Sequence, residues 1–355
     1  MADGNFVTGL LGRFMARGDV KAFSLPGTLG DESHILAIDT GDLSDLLFHV
    51  PLLQAVRERH PRARIDFLIP EEHTSLIVSS GVAHHCLTYR RKQMKAWNPA
   101  MFSLLKTIRK RGYHLSMVMS FEPQAALESI ALASGANLRL GPSHRGSYPA
   151  VNFEIRAPEN DSRYRGSRLS VAAPFLGLPA FAGDKAWPLP EERVRRMRQL
   201  IHFNKPRQDE VLVGVDPALG KSGVGLSAQN LHFVMNQLAS QMPCRTLPLS
   251  IDADSDLLRQ FEAGLTVPPL ALPRENLFDT VLMASLCDLF IAGNTDLFHY
   301  AAASGVPTLG LFLKEDDSSW MPADYPNARV LRVKGGQRVD IETLMESVEA
   351  VRGAS

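Results

Sequence analysis

Short apolar runs alternate along this chain with longer segments whose apolar residues recur at helical spacing. Runs of that kind, bounded by turn residues, predict buried strands; the spaced segments predict helices packed on them. Strands are predicted over 34–39, 65–69, 85–89, 115–120 and 138–140. A helix carrying Leu46, Leu47, Val50, Leu52, Leu53 and Val56 follows the first strand, and further helices are predicted over 74–80, 101–111 and 123–134, the last two stopped by Gly112 and Gly135. A polar, irregular stretch over 143–165, a helix over 167–176 and a Pro- and Gly-rich stretch over 181–189 interrupt the alternation. It resumes with a charged helix over 191–203, a strand over 211–215, a helix over 231–242, a strand over 245–249, a helix over 255–263, a short strand near Leu270 and a helix over 278–286. Two rounds of strand and helix predict two α/β domains, each a parallel sheet with helices on both faces. The boundaries are set at 1–33 for an N-terminal extension, 34–190 for the first domain and 191–355 for the second.

The stretch from Cys287 to Leu313 gives the sharpest local pattern. An apolar strand over 289–292 enters a turn at Gly293-Asn294, Thr295 or Asp296 caps a helix, Ala301-Ala302-Ala303 carries it, Gly305 and Pro307 stop it, and a second strand runs over 308–313. A helix that starts at the end of a strand offers free N–H groups to an anion. The segment reads as a phosphate-recognition corner or, equally, as one more βαβ unit. In the extension, Phe6, Leu10, Leu11, Phe14 and Met15 share one helical face. A helix lying on the protein's own surface is preferred there to one docking on a membrane or a partner.

Composition narrows the classes. Among 355 residues, Lys+Arg and Asp+Glu both number 38, so the net charge is zero and no global basic field for nucleic acid exists. No run approaches the length of a membrane-spanning helix, and the N-terminus MADGNF lacks the order of a secretory signal. Cys86, Cys244 and Cys287 lack metal-ligand spacing and read as small buried hydrophobes of a reducing cytosol.

Four clusters carry candidate chemistry. Asp39, Asp42 and Asp45 lie in the loop after the first strand, where open α/β sheets place reactive groups. Asp45 is positioned to act as a general base on a hydroxyl, or simply as a carboxylate favoured by a helix N-terminus. Residues 217–225, with Gly220, Lys221, Gly223 and Gly225, form a glycine-rich loop after a strand. It suits a phosphate or an ordinary surface turn, and its spacing is not that of a P-loop. Arg90, Arg91 and Lys92, with Lys95 and Trp97, form a basic cluster that fits an anionic acceptor or a solvated loop. Asp252, Asp254 and Asp256 alternate as oxygen ligands of a hard cation do, but they lack the glycine and distal Glu of an EF-hand, and a capped helix start is preferred.

Three segments together resemble glycosyltransferase family 9, the ADP-heptose:lipopolysaccharide heptosyltransferases. SDLLFHVPLLQAVRERHPRARIDFLIP is similar to the family's opening, with Asp45 on its catalytic aspartate. LFDTVLMASLCDLFIAGNTDLFHYAAASGVPTLGLF is similar to its donor-site segment, and KEDDSSWMP to its ending, matching Asp316, Trp320 and Pro322. The resemblance spans roughly 34–350. It implies an α/β GT-B fold, two Rossmann-like domains with parallel sheets facing a central cleft. It further implies an inverting transfer of a sugar from a nucleotide-sugar donor, ADP-linked in the family, to a hydroxyl of a lipopolysaccharide-type or other glycan or glycolipid acceptor. Asp45 would be the base. Lys221, Asn294, Thr295, Asp296 and His299 would bind the donor, and Arg90, Arg91 and Lys92 the acceptor. No cofactor, metal or nucleic-acid partner is implied; the setting is the cytoplasm with a peripheral contact at the inner membrane. The sequence departs from the family pattern in three places, one of them the family's Gly-Gly-x-x-Glu-like loop, which stands as Ser250-Ile251-Asp252-Ala253-Asp254. Aligned on His299, the family's Asp-Thr-Gly stands as Asn294-Thr295-Asp296, and its Lys-x-Trp-Pro loop is replaced by Val224-Gly225-Leu226-Ser227. These departures favour an alternative, a GT-B protein with lost donor chemistry that acts as a binding or assembly module.

Overall fold

A computed structural model of the chain describes residues 23, 29–30, 32–93, 98–120, 123–156, 165–178, 187–218, 228–251, 256–314, 316, 325–334 and 339–353. The chain divides into two compact units, Met1–Ser162 with Gly166–Gly183, and Arg163–Arg165 with Asp184–Ser355.

The first unit is built on six strands, β1 (His34–Ile38), β2 (Arg64–Pro70), β3 (His85–Tyr89), β4 (Leu115–Val118), β5 (Leu138–Pro142) and β6 (Phe153–Ile155). They lie in the order β3-β2-β1-β4-β5-β6, with every pairing parallel. Parallel strands need covered faces. Accordingly β1 is buried after its first residue, and Leu36, Ile38, Leu68 and Val118 pack into one cluster with Ile108 and Ile130 from two covering helices. The helices are α1 (Leu46–Arg59), α2 (Thr74–Ser80), α3 (Pro99–Lys110) and α4 (Ala125–Ser134). Asn98 caps α3, accepting from the Ala100 amide at 2.9 Å. Helix α1 is buried on all sides from Leu46 to Leu53 and contains Pro51.

The second unit opens with α5 (Glu191–Asn204) and holds β7 (Val211–Asp216), α6 (Ala228–Gln241), β8 (Cys244–Pro248), α7 (Asp256–Ala263), α8 (Leu277–Ala284), β9 (Leu289–Ala292), α9 (Asp296–Ala303), β10 (Thr308–Leu313), β11 (Ala328–Val333) and α10 (Ile341–Gly353). Its strands lie in the order β11-β10-β9-β7-β8, again all parallel. Gly310 on β10 is where a side chain would not fit. An added Cβ would fall 2.9 Å from the Phe298 ring of α9 and 2.8 Å from Phe312, so the glycine lets α9 lie close against the sheet.

In each unit the strand order turns back beside the first strand, between β1 and β4 and between β7 and β9. Ligands of open α/β sheets bind outside the carboxyl ends of the strands at such a switch point. The Asp45 loop follows β1, and the Asn294 turn follows β9.

Several expectations need correction. The strand expected near Leu270 is a single hydrogen bond, from the Leu270 amide to the Thr246 carbonyl of β8 at 2.7 Å. The helix expected over 167–176 is a 3-10 helix, Arg165–Leu176. Strands β6 and β11 and helix α10 were not expected. Both strands are sheet edges, and their half-buried residues give no continuous apolar run. Cys86, Cys244 and Cys287 are free, and burial pushes the Cys244 thiol up to about 11. Among the described residues no helix is long and apolar enough to cross a membrane.

A buried charge fixes the first sheet. Asp66 on β2 is fully buried and accepts from Tyr113 Oη at 2.8 Å and Arg111 Nη1 at 2.7 Å, with His34 Nε2 at 3.3 Å and His85 Nδ1 at 3.1 Å. Burial acts to raise its carboxyl, but the Tyr113 and Arg111 hydrogen bonds and the nearby positive charge outweigh it and hold it low. Asp66→Ala strands three or four donors at once. It is expected to cost about 3 kcal/mol, read as a lowered midpoint of the first unit's transition in urea.

Candidate functional site

In the first unit the chain leaves β1 at Asp39 and enters a 3-10 turn, Leu43–Asp45, that runs straight into α1. Local bonds fix this loop. The Asp42 amide donates to Thr40 Oγ1 at 3.1 Å, the Ser44 amide to Asp42 Oδ1 at 3.2 Å, and Thr40 Oγ1 to Asp45 Oδ2 at 2.9 Å. Asp45 is 7% exposed. Gly41 takes φ 88°, a left-handed conformation that favours glycine. The Arg91 guanidinium donates to its carbonyl, and an added Cβ would lie 3.3 Å from Tyr89 Oη. The loop is thus held from β3 as well as from its own turn.

Beneath the loop lies a buried ionic group. Asp39 is fully buried. His49, one turn into α1, donates from Nδ1 to Asp39 Oδ1 at 2.8 Å, and His73 Nδ1 stands 3.5 Å from Asp39 Oδ2. Burial acts to raise the Asp39 carboxyl, but the His49 hydrogen bond and the nearby His49 and His73 rings hold it below its ordinary 3.8. Burial acts to lower the His49 ring. The Asp39 hydrogen bond and charge, the Asp45 charge and a backbone hydrogen bond to Met119 raise it above its ordinary 6.5.

The basic residues after β3 are mostly matched. Arg90 Nε lies 2.5 Å from Glu71 Oε2, and Arg91 Nε 2.7 Å from Glu72 Oε1; Lys92 is exposed. Of the three cations only Arg91 reaches the Asp45 loop. Further along the same sheet edge, Glu128 of α4 is buried and accepts from His144 Nε2 at 2.8 Å and from the Gln124 amide at 3.2 Å. His144 Nδ1 meets the Arg145 carbonyl at 3.2 Å. This pair staples the loop after β5.

In the second unit Thr295 caps α9, its hydroxyl accepting from the Phe298 amide at 3.4 Å. The Thr295 amide donates to the Gly293 carbonyl at 2.9 Å, and His299 Nε2 to Asn294 Oδ1 at 2.9 Å. Asn294, Thr295 and His299 are buried and Asp296 half-buried. His299 is fully enclosed, so it acts on the turn through Asn294. Among the described residues, a Cβ added at Gly293 would meet only the Leu311 carbonyl, at 4.0 Å. On the adjacent strand the Ala218 amide donates to Asp216 Oδ1 at 3.0 Å. After β10, Asp316 Oδ2 accepts from the Leu313 amide at 2.8 Å, and Arg332 Nη1 donates to the Leu313 and Asp316 carbonyls at 2.7 and 2.8 Å. Lys221, Lys95, Trp97, Asp252, Asp254, Trp320 and Pro322 lie outside the described residues. Among the described residues no group of three His, Cys, Asp or Glu forms a metal site.

Comparison with known proteins agrees with this geometry. No protein-family model matches the sequence. The chain is 22% identical over 285 residues to lipopolysaccharide heptosyltransferase 3 of Escherichia coli, covering 78% of this chain and 83% of that protein. A glycosyl transferase family 9 structure from Veillonella parvula superposes with a TM-score of 0.75 at 15% identity, covering 92% of this chain and all of that one. An Escherichia coli heptosyltransferase solved with ADP superposes with a TM-score of 0.69 at 14% identity, covering 90% of this chain and 99% of that one. The chain has the fold of the family 9 glycosyltransferases. It is heptosyltransferase-like in sequence as well, and the GT-B class expected from its motifs is borne out.

The fold places Asp45 and the Asn294–His299 turn each at the switch point of its own sheet. Sequence reasoning missed the group beneath Asp45. Its signal was a lone histidine in an otherwise apolar run, LLFHVPLL, which once buried must find a polar partner.

The sign of the pH dependence follows from the pair. Asp39, with its lowered folded value, contributes stability that is present above 3.8 and lost as pH falls through that lower value. His49, with its raised folded value, contributes stability fully present below 6.5 and lost as pH rises through that higher value. Calorimetry of the intact chain should show the first unit's melting midpoint falling as pH climbs above 6.5, and His49→Gln should remove that part of the fall.

Proposed function

We propose that the protein is a glycosyltransferase that moves a heptose-type sugar from an ADP-linked donor to a hydroxyl of a glycan or glycolipid acceptor, with inversion. The observation that carries the reading is Asp45: a carboxylate fixed by Thr40 at the carboxyl end of the central strand of the first sheet, in a chain heptosyltransferase-like in sequence and fold. In this reading Asp45 Oδ takes the acceptor's proton as the hydroxyl oxygen bonds to the anomeric carbon. The bond from that carbon to the diphosphate breaks on the opposite face, and its electron pair leaves with ADP. The dipole at the start of α9 supplies partial positive charge for the leaving group, and Lys221 adds a full one. Asn294, held by His299, shapes the turn that receives the diphosphate. Arg91 supports the Asp45 loop, and Arg90 and Lys92 face an anionic acceptor, with a peripheral contact at the inner membrane where that acceptor is a glycolipid.

ADP at millimolar concentration should raise the second unit's melting temperature, since a ligand of the native state stabilises it by mass action. Asp45→Asn should cut transfer from ADP-heptose by roughly 10²–10⁴-fold and leave the ADP shift intact. Turnover unchanged in that variant would remove Asp45 from the role of base.

One observation favours a second reading, a binding module without transfer. Asp296 is half-buried in the first turn of α9 and puts a carboxylate where a diphosphate would approach. Asp296→Gly should tighten ADP binding by about tenfold, equivalent to ~1.4 kcal/mol, by isothermal titration. If wild type binds no ADP and Asp296→Gly restores binding without transfer, the module reading holds.

A further inference from the structure

The buried group beneath the Asp45 loop has no part in the reaction as written, yet its placement is specific. His49 lies four residues after Asp45, so the two side chains share one face at the start of α1. Its ring is clamped from two strands. Asp39, at the end of β1, receives Nδ1 at 2.8 Å, and the Met119 backbone, just past β4, acts on the ring from the other side and favours its charged form. The Met119 amide is already spent on the Ile38 carbonyl at 3.0 Å, which leaves its carbonyl to face the ring. A neutral imidazole has one N–H; an imidazolium has two and satisfies both acceptors. The site is 3% exposed at His49 and fully buried at Asp39, so this charge is not screened by water as a surface pair is.

We propose that His49 is a positioning residue for Asp45: a buried imidazolium, clamped across the β1–β4 switch point by Asp39 and the Met119 backbone, that fixes the start of α1 and keeps the Asp45 carboxylate ionised. The inference rests on the reading of Asp45 as the base. Burial of a carboxylate disfavours its charged form. A fixed positive charge one helical turn away opposes that. Asp39 supplies the opposite charge that lets His49 stay protonated without water. The other groups facing this cluster are His73, on the far oxygen of Asp39, Tyr89, on which the Asp39 charge bears, and the Glu72 and Arg91 pair beyond it. Just past β4 the Met119 backbone faces the ring.

The test uses the full chain with histidine labelled at Cε1, His49 being assigned by its loss in His49→Gln. NMR should show His49 still as imidazolium at pH 7. Asp45→Asn should lower its titration midpoint by at least about half a unit, and Asp39→Asn by more than about one. Because Asp39→Asn can fail to fold, Asp45→Asn is the deciding variant. A His49 midpoint at or below 6.5, or one that Asp45→Asn leaves unmoved, would overturn the proposal and reduce the pair to packing. A second arm follows turnover of ADP-heptose. His49→Gln should lower kcat with the donor KM unchanged and move the acid limb of the profile to higher pH, since removing a positive charge raises a carboxylate's pKa. Wild-type protein that turns over no ADP-heptose would sink the transferase reading, while the NMR arm still decides whether His49 senses Asp45.

Discussion

Every described strand in both sheets runs parallel to its neighbours. All loops at one edge of a sheet therefore follow strand ends, and all loops at the other edge precede strand starts. The crossovers occupy both faces, so a small molecule can approach backbone and side chains only along an edge. At the carboxyl edge, where the strand order reverses, two successive loops splay to opposite sides and leave a crevice. That single topological fact places Asp45 beside β4 and the Asn294 turn beside β7. It also separates tasks. Asp66, with His34, Arg111 and Tyr113, sits toward the amino edge of the first sheet and ties β1, β2 and the β4 approach together. The Asp39, His49 and His73 group sits at the carboxyl edge, under the loop that carries the proposed base.

Two buried carboxylates in one sheet, each held ionised by different partners, illustrate how burial is offset. At Asp66 the partners are Arg111, two solvent-reachable histidine rings and a phenol, so water shares the load. At Asp39 the partners are two nearly enclosed histidines. A buried ion pair of this kind is seldom a net gain in stability over well-packed apolar residues. Leu or Met at both positions would fold at least as well on that ground. An ionic group there is explained by what lies on top of it, a carboxylate that needs a fixed countercharge.

Much of this was legible in the sequence because parallel sheets write themselves as apolar runs. β1, β2, β7, β9 and β10 are buried nearly end to end, and each was recognisable by composition alone. β6 and β11 were not, because edge strands expose part of one face and lose the run. The site divides the same way. Asp45 and Thr295 could be named as candidates because strand end, cap residue and helix start are adjacent in sequence. Asp39 with His73, and Glu128 with His144, are joined only by the fold, and no spacing announces them. His49 was close to legible. A histidine inside a helix buried on every side has no solvent face to occupy, so a partner was required even before one was visible. Arg91 illustrates the opposite error of scale. It reads as one of three equivalent cations, whereas the structure commits it to Glu72 and the Gly41 carbonyl.

Asp296 can be weighed on stability alone. A carboxylate in the first turn of a helix gains about 0.3–1 kcal/mol from the helix dipole, and replacing glycine removes a backbone entropy cost of roughly 0.5–1 kcal/mol. Without a ligand, then, Asp is the better residue at this position by both terms. With a diphosphate at the same amides, the dipole term reverses, since the helix start would serve two anions with one set of donors. Asn294 and His299 answer to another demand. Their buried hydrogen bond holds the turn, and it gains nothing from the charge of whatever approaches. Relative to the family pattern, the corner keeps the capped turn and the histidine behind it, and what differs is its preference for charge.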